Sequence, residues 1–417
     1  MIWMKTRLKK NSNTSETYSM PRETRMEHSR QSNRPPAANR RVLPVQEARH
    51  LRRRGMYMGT SADIAQSDMG DTPSGCYLNM RHLRTHLHVM GPTGVGKTRL
   101  LLFMFQLLAR TKRPVVLIDP KGGLFRQARD WCLANGLRKR LVLFDLSADT
   151  LPGYNPLREN GLSIALQAKW VRESIKSAWG QDSFDQTPQL QRFLYLVLFV
   201  ARACSLNMLE ALDILRPGSA LRSRLLPEIS DPFVRGALAY FDDLSVRRQE
   251  ELGASTLARL ESFVCDDLVQ PVITSRESLD IEAILREKKI FLINFAKYQP
   301  ILPDDLKLLG RMLLNDLLAH VYKGHGEGHF DENNPCYVLI DEVQNVATRQ
   351  LCDAFDEGRG LGFHTIVAHQ FLQQLADEEK SGYLLHSIKN DARTKIIFGD
   401  CDTEDLEVLA KDLFIDR

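Results

Sequence analysis

At 417 residues, 43% hydrophobic and 26% charged, the chain has room for two or three globular domains and is extreme in neither apolar content nor charge. Seven cysteines, an odd number with no pair at C-x-x-C spacing, argue against a disulfide framework or a zinc ribbon and point to buried, reduced thiols. The net charge of +4 is unevenly placed: residues 1–55 carry 14 Lys and Arg against 4 Asp and Glu, and the remainder 42 against 48, so the folded part is expected to be mildly acidic.

In chain order the basic segment comes first. Residues 1–45 are rich in Ser, Asn, Pro and Arg, as in Arg30-Gln31-Ser32-Asn33-Arg34-Pro35-Pro36, and hold too little apolar content to form a core. They are expected to be a disordered basic arm that either tracks nucleic-acid phosphates or an acidic partner, or serves only as a solubilising tail. Arg49, Arg52, Arg53 and Arg54 extend it as a short basic helix. Its first residues lack the apolar stretch of a secretory signal, which favours the cytoplasm.

The next part, residues 46–156, reads as the first half of a nucleotide-binding α/β domain. The apolar run Leu87 to Met90 is followed by Gly91, Pro92, Thr93, Gly94, Val95, Gly96, Lys97 and Thr98, then by a helical pattern from Arg99. Strand, glycine turn and helix is the context in which G-x-x-x-x-G-K-[ST] is a phosphate site. The glycines let successive N–H groups converge beside a helix N-terminus, Lys97 would meet the β- and γ-phosphates, and the Thr98 hydroxyl would take one position on Mg²⁺. Histidines 82, 86 and 88 before this loop are expected to be structural. Pro114 to Asp119 reads as a central parallel strand, Leu124 to Ala134 as a helix and Leu141 to Asp145 as a further strand, which together predict a doubly wound, mainly parallel sheet.

Residues 157–280 change character. Helical periodicity runs over Ile164 to Ala178 and Leu190 to Ala203, with shorter pieces at Met208 to Leu215, Phe233 to Tyr240 and Leu257 to Val264, predicting an inserted all-α domain. Its longest apolar run, Phe193 to Ala201, is about half of the ~20 residues that cross a membrane, so no transmembrane segment is expected.

The α/β pattern resumes in residues 281–417. Lys289 to Asn294 is a strand, Asp304 to Tyr322 a helix, and the glycine-rich stretch Lys323 to His329 a solvated loop in preference to a metal site. Cys336 to Ile340 is an apolar strand ending in Asp341 and Glu342. Beside a phosphate loop, the first would hold Mg²⁺ and the second would orient and deprotonate an attacking water. The adjacent carboxylates and the absence of an N-K-x-D element favour ATP hydrolysis over guanine-nucleotide switching. Gln370, after the strand Phe363 to Ala368, is a candidate γ-phosphate sensor, with a helix-capping glutamine as the plain alternative. Thr394 to Gly399 is the last predicted strand.

Taken together, the stretches HVMGPTGVGKT, VVLIDPKGG, YNPL, VLIDEVQ, EGRGLGFHTIVAHQFLQQL and RTKIIFGD make the chain, over roughly residues 55–417, resemble the TraG/TraD-like coupling ATPases of conjugative and type IV secretion systems. These are relatives of the FtsK and HerA DNA pumps. The resemblance implies a RecA-like P-loop NTPase domain with an all-α insertion, assembled as a homo-hexamer that drives DNA through its centre by sequence-independent backbone contacts. It implies ATP and Mg²⁺ as cofactors, Lys97 and Thr98 as the P-loop pair, Asp341 and Glu342 as metal and base carboxylates, Gln370 as sensor, and Arg359 as an arginine reaching a neighbouring subunit's nucleotide. Two departures stand out. The family's membrane-coupled members begin with transmembrane helices where this chain has a basic arm, so recruitment to the inner face of the membrane would need a partner such as a relaxosome or secretion-channel protein. The chain also stops soon after a helix ending near Leu413. A nucleotide-gated adaptor and a chromosomal DNA pump remain as alternative readings.

Overall fold

The computed structural model describes residues 2–4, 56–60, 75–179, 187–275, 277–296, 304–377, 382–399 and 401–413. Among the described residues before the main unit, Met56–Thr60 pairs antiparallel with Gly75–Leu78 in a two-stranded sheet of its own. The expected disordered arm lies outside the described residues except for Ile2–Met4. That apolar triplet departs from the expectation by forming a short strand at a sheet edge.

The main unit is built on seven parallel strands: β1 (Leu87–Met90), β2 (Val115–Asp119), β3 (Leu141–Asp145), β4 (Ile290–Asn294), β5 (Cys336–Ile340), β6 (Phe363–His369) and β7 (Thr394–Phe398). Their spatial order is β7-β1-β6-β5-β2-β4-β3. Every residue of β1, β2, β4, β5 and β6 is buried, as expected of strands covered by helices on both faces, whereas edge strand β3 leaves Leu143 exposed. The register is level where it matters: Met90 lies beside His369, Ile340 beside Val367, and Ile118 beside Ile340. One edge of the sheet therefore presents, side by side, the loops after β1, β6, β5 and β2.

Helices α1 (Lys97–Ala109) and α2 (Gly123–Ala134) follow the first two strands. Between β3 and β4 the described chain holds α3 (Ile164–Trp179), α4 (Pro188–Ala203), α5 (Pro232–Asp242) and α6 (Val246–Val264), with short turns of helix between them and no strand. The apolar run of α4 is buried almost all round, and the helical core continues into that of the sheet: Phe193, Phe241 and Phe263 belong to the same cluster as Val116, Ile118 and Phe144. Among the described residues no helix is long and apolar enough to cross a membrane.

Two helices are longer than their patterns suggested. Helix α6 starts eleven residues before Leu257, because its first turns present a solvated face where Arg247 and Arg248 pair with Glu251 at 3.2 and 2.8 Å. Helix α7 (Asp304–Gly326) takes in the first part of the stretch expected to be a loop, Lys323 to Gly326, and Glu327 to His329 then turn out of it. Its Gly324 is needed for close packing, since a Cβ there would stand 2.6 Å from the Phe330 ring, and Lys323 is tied to Glu282 at 2.8 Å. The thiol expectation is met only in part: Cys132, Cys336 and Cys352 are buried, Cys204 and Cys401 are half-buried, and Cys265, at the end of α6, is exposed.

In the helical layer Arg222 is 1% exposed, donates to Asp242 at 2.7 Å and to the carbonyls of Ile214 and Arg216, and lies over the Phe241 ring. Truncation strands two carbonyls and a carboxylate. Arg222→Ala is expected to lower the unfolding free energy by about 3 kcal/mol, read from urea titration; a loss under about 1 kcal/mol would contradict this account.

Candidate functional site

The turn after β1 is shaped by its glycines. Gly94 and Gly96 have φ of 89° and 112°, left-handed values that suit glycine, and Gly96 caps α1. Gly91 is fixed by crowding, because a Cβ there would lie 2.7 Å from the Cβ of Phe398 on β7. Lys97, the first residue of α1, is 7% exposed and folds back over the loop, donating to the carbonyls of Gly91 and of Pro92, the latter at 2.9 Å. Burial lowers its pKa, while Glu342 and Asp341 favour its charge. Thr98 follows, half-buried, and Thr93 and Val95 complete the turn.

Across β6, the end of β5 supplies the carboxylates. Asp341 is 6% exposed, its amide donating to the Ile118 carbonyl at 3.0 Å. Burial first, then the neighbouring Asp119 and Glu342, push its pKa up to about 7. Glu342 is 4% exposed and left-handed, with φ 48° and ψ 58°, an unfavourable conformation for a residue with a Cβ. Burial opposes its charge, but hydrogen bonds from Lys121, Gln344 and Gln370 together hold its pKa below the usual carboxylate value. Those bonds are 2.5, 2.9 and 2.7 Å long. Asp119, at the end of β2, is buried and accepts from the amides of Lys121 at 2.9 Å and Phe125 at 2.8 Å.

Gln370 stands at the end of β6, between the phosphate loop and the carboxylates. Its Nε2 donates to Glu342, and its Oε1 accepts from Thr93 Oγ1 at 3.0 Å. The residues expected as phosphate loop, metal carboxylate, base and sensor are thus brought together. Arg359 is not among them. It is exposed near the end of helix α8 (Arg349–Leu361), which returns to the opposite, N-terminal edge of the sheet, where its charge acts on His364. A five-residue strand at ~3.3 Å per residue puts roughly 16 Å between the two edges.

Sequence reasoning assigned no role to Lys121, Asp119 or Gln344. A signal for the first two was present, since Asp119-Pro120-Lys121-Gly122 follows a buried parallel strand just as Asp341-Glu342 does. The oxygens of Asp119 and Glu342 are already engaged by backbone amides and side-chain donors, which leaves Asp341 as the carboxylate that, with the Thr98 hydroxyl, would hold a hard divalent cation such as Mg²⁺.

Of the three histidines expected to be structural, His86 and His88 are buried and His82 is exposed. His88 and His369 are fully buried, with Nε2 atoms 2.5 Å apart. Since His369 Nδ1–H donates to the Phe371 carbonyl at 2.9 Å, its Nε2 is the acceptor and His88 Nε2–H the donor. His86 bonds Thr365 at 2.7 Å. His364 is 1% exposed, packs edge-on against Tyr337, and has no hydrogen bond at either ring nitrogen. Burial, then the charges of Arg84 and Arg359, lower its pKa to about 4. A depressed histidine contributes stability above its unfolded pKa near 6.5, and that contribution is lost as pH falls toward the folded value. His364→Phe keeps the shape and loses no hydrogen bond. Between pH 7 and pH 5 the variant is expected to gain about 2 kcal/mol relative to the parent chain; parallel stability-versus-pH curves from urea unfolding would refute the assignment.

No protein-family model matches the chain, and no curated protein matches it in sequence. Solved structures do. The plasmid coupling protein TrwB in complex with ADP and Mg²⁺ aligns at TM-score 0.57 and 15% identity over 89% of this chain and 82% of that one. The bacterial conjugative coupling protein TrwBdeltaN70, in its unbound monoclinic form, aligns at TM-score 0.52 and 18% identity over 74% and 67%. VirB4 of Thermoanaerobacter pseudethanolicus aligns at TM-score 0.52 and 12% identity over 87% and 88%. The likeness shows the fold: a RecA-like α/β architecture with a parallel sheet, shared with solved conjugative coupling proteins as the sequence resemblance implied.

Proposed function

We propose that the chain is an ATP-hydrolysing motor of the conjugative and type IV secretion coupling class, driving DNA through a homo-hexameric ring. The observation that carries this reading is the meeting, at adjacent strand ends, of Lys97, Asp341, Glu342 and Gln370. In it Lys97 leaves the loop carbonyls for the β- and γ-phosphates, Glu342 orients a water and accepts its proton, Gln370 links that event to Thr93, and Arg359 serves the neighbouring subunit's site. Bound Mg²⁺, held by Thr98 and Asp341, would draw negative charge from the phosphates. TrwB has been solved with ADP and Mg²⁺ and with non-hydrolysable ATP and GTP analogues, which supports a nucleotide site on this fold. The chain would work in the cytoplasm, recruited to the inner face of the membrane by a relaxosome or secretion-channel partner.

A motor that accepts any sequence should grip the phosphate backbone. DNA is therefore expected to stimulate hydrolysis several-fold, independently of base composition, with the effect falling steeply between 50 and 200 mM salt. Phosphate release with and without DNA tests this. Hydrolysis indifferent to DNA would favour the nucleotide-gated adaptor.

A further inference from the structure

Four loops are stitched together across the mouth of the site. Thr93 Oγ1 donates to Gln370 Oε1 at 3.0 Å, Gln370 Nε2 to Glu342 Oε1 at 2.7 Å, and Lys121 Nζ to the same oxygen at 2.5 Å. The other oxygen of Glu342 takes Gln344 Nε2 at 2.9 Å. With two donors on Oε1 and one on Oε2, a water can be oriented by Oε1 only if Lys121 or Gln370 gives way.

Lys121 is the partner built to leave. Its backbone is fixed: Asp119 holds its amide and that of Phe125, and Gly122, at φ 74°, sits where a Cβ would lie 2.8 Å from Asn294 Oδ1. Its side chain is 47% exposed on a flexible four-carbon stem, whereas that of Glu342 is 5% exposed. Its charge acts on Lys97, Asp341 and Glu342 alike, which sets the ammonium among the groups around the phosphate loop. Two lysines facing one compartment repel each other, and a polyphosphate is the anion that satisfies both.

Resting on the nucleotide-site reading above, we propose that Lys121 is a latch on Glu342 that opens for a triphosphate. Its ammonium leaves the carboxylate for the terminal phosphate and so frees Glu342 to face water only when that phosphate is in place. Lys121 is thus a positioning residue for the base and the source of discrimination between triphosphate and diphosphate.

The test is equilibrium binding of ADP and of a non-hydrolysable ATP analogue, each with Mg²⁺, by titration calorimetry on the full chain. ADP serves as internal reference, since its shorter phosphate chain offers the ammonium no terminal γ-phosphate. Lys121→Ala is expected to reduce the analogue-to-ADP affinity ratio roughly tenfold, and Lys121→Arg to retain most of it. Because Glu342→Gln releases the ammonium, it should tighten analogue binding, and that gain should vanish when combined with Lys121→Ala. An unchanged ratio in Lys121→Ala, or a gain from Glu342→Gln that persists without the lysine, would overturn the latch while leaving the nucleotide site intact. Failure of the unmodified chain to bind either nucleotide would sink the reading beneath it.

Discussion

Glu342→Gln is expected to cut ATP turnover by about 10²–10⁴-fold while leaving nucleotide binding in place. The carboxylate is buried, poised at the end of β5 and kept ionised by three donors, so at neutral pH it is charged and able to accept a proton. Glutamine keeps the shape and an acceptor oxygen but cannot take that proton. Lys97→Ala should fail differently. With the ammonium inside the phosphate turn removed, binding itself weakens by roughly ten- to a hundredfold, the worth of a charge-assisted hydrogen bond to phosphate. Phosphate release combined with fluorescent-nucleotide binding separates the two: turnover loss with no loss of affinity in the first, turnover and affinity loss in the second. Residual hydrolysis near the parent rate in both purified variants would remove the assignment of this pocket as an ATPase site.

What could be read without coordinates follows from which features are local. Strands β1, β2 and β5 were legible because burial on both faces leaves an uninterrupted apolar run, and the glycine turn and Asp341-Glu342 were legible because they follow such runs directly. Gln370 was placed by the same logic at the end of β6. Strand order is not local. That β6 lies between the phosphate-loop strand and the carboxylate strand, and that β2 flanks the latter, depends on pairings between residues far apart in the chain. Lys121 could not be connected to Glu342 until that order was known, since 221 positions separate them. The start of α6 was hidden by its charged face, and the end of α7 by glycines whose packing against Phe330 is a tertiary fact.

The largest effect is expected at a residue remote from its own pocket. Arg359 projects from the exposed face of α8, at the sheet edge opposite Lys97 and Glu342, in company with Arg84 and His364. A side chain about 6–7 Å long cannot bridge ~16 Å of strand, so any part it plays in hydrolysis must be in a neighbouring copy. An arginine delivered in trans stabilises charge on the transferring phosphoryl group and contributes on the order of 10³–10⁵ in rate. Arg359→Ala is therefore expected to cut turnover at least as far as Glu342→Gln, yet to leave nucleotide affinity and fold untouched. The two lesions should complement when mixed, because an interface pairing a Glu342→Gln subunit's arginine with an Arg359→Ala subunit's pocket has both groups intact. Random mixing at equal ratio gives about a quarter of interfaces that are wholly competent, so a bell-shaped recovery across mixing ratios, peaking near equality, is the predicted signature. Turnover that stays at the level of the separate variants at every ratio would show that Arg359 serves no neighbour. The contribution of a second subunit would then have to come from another side chain.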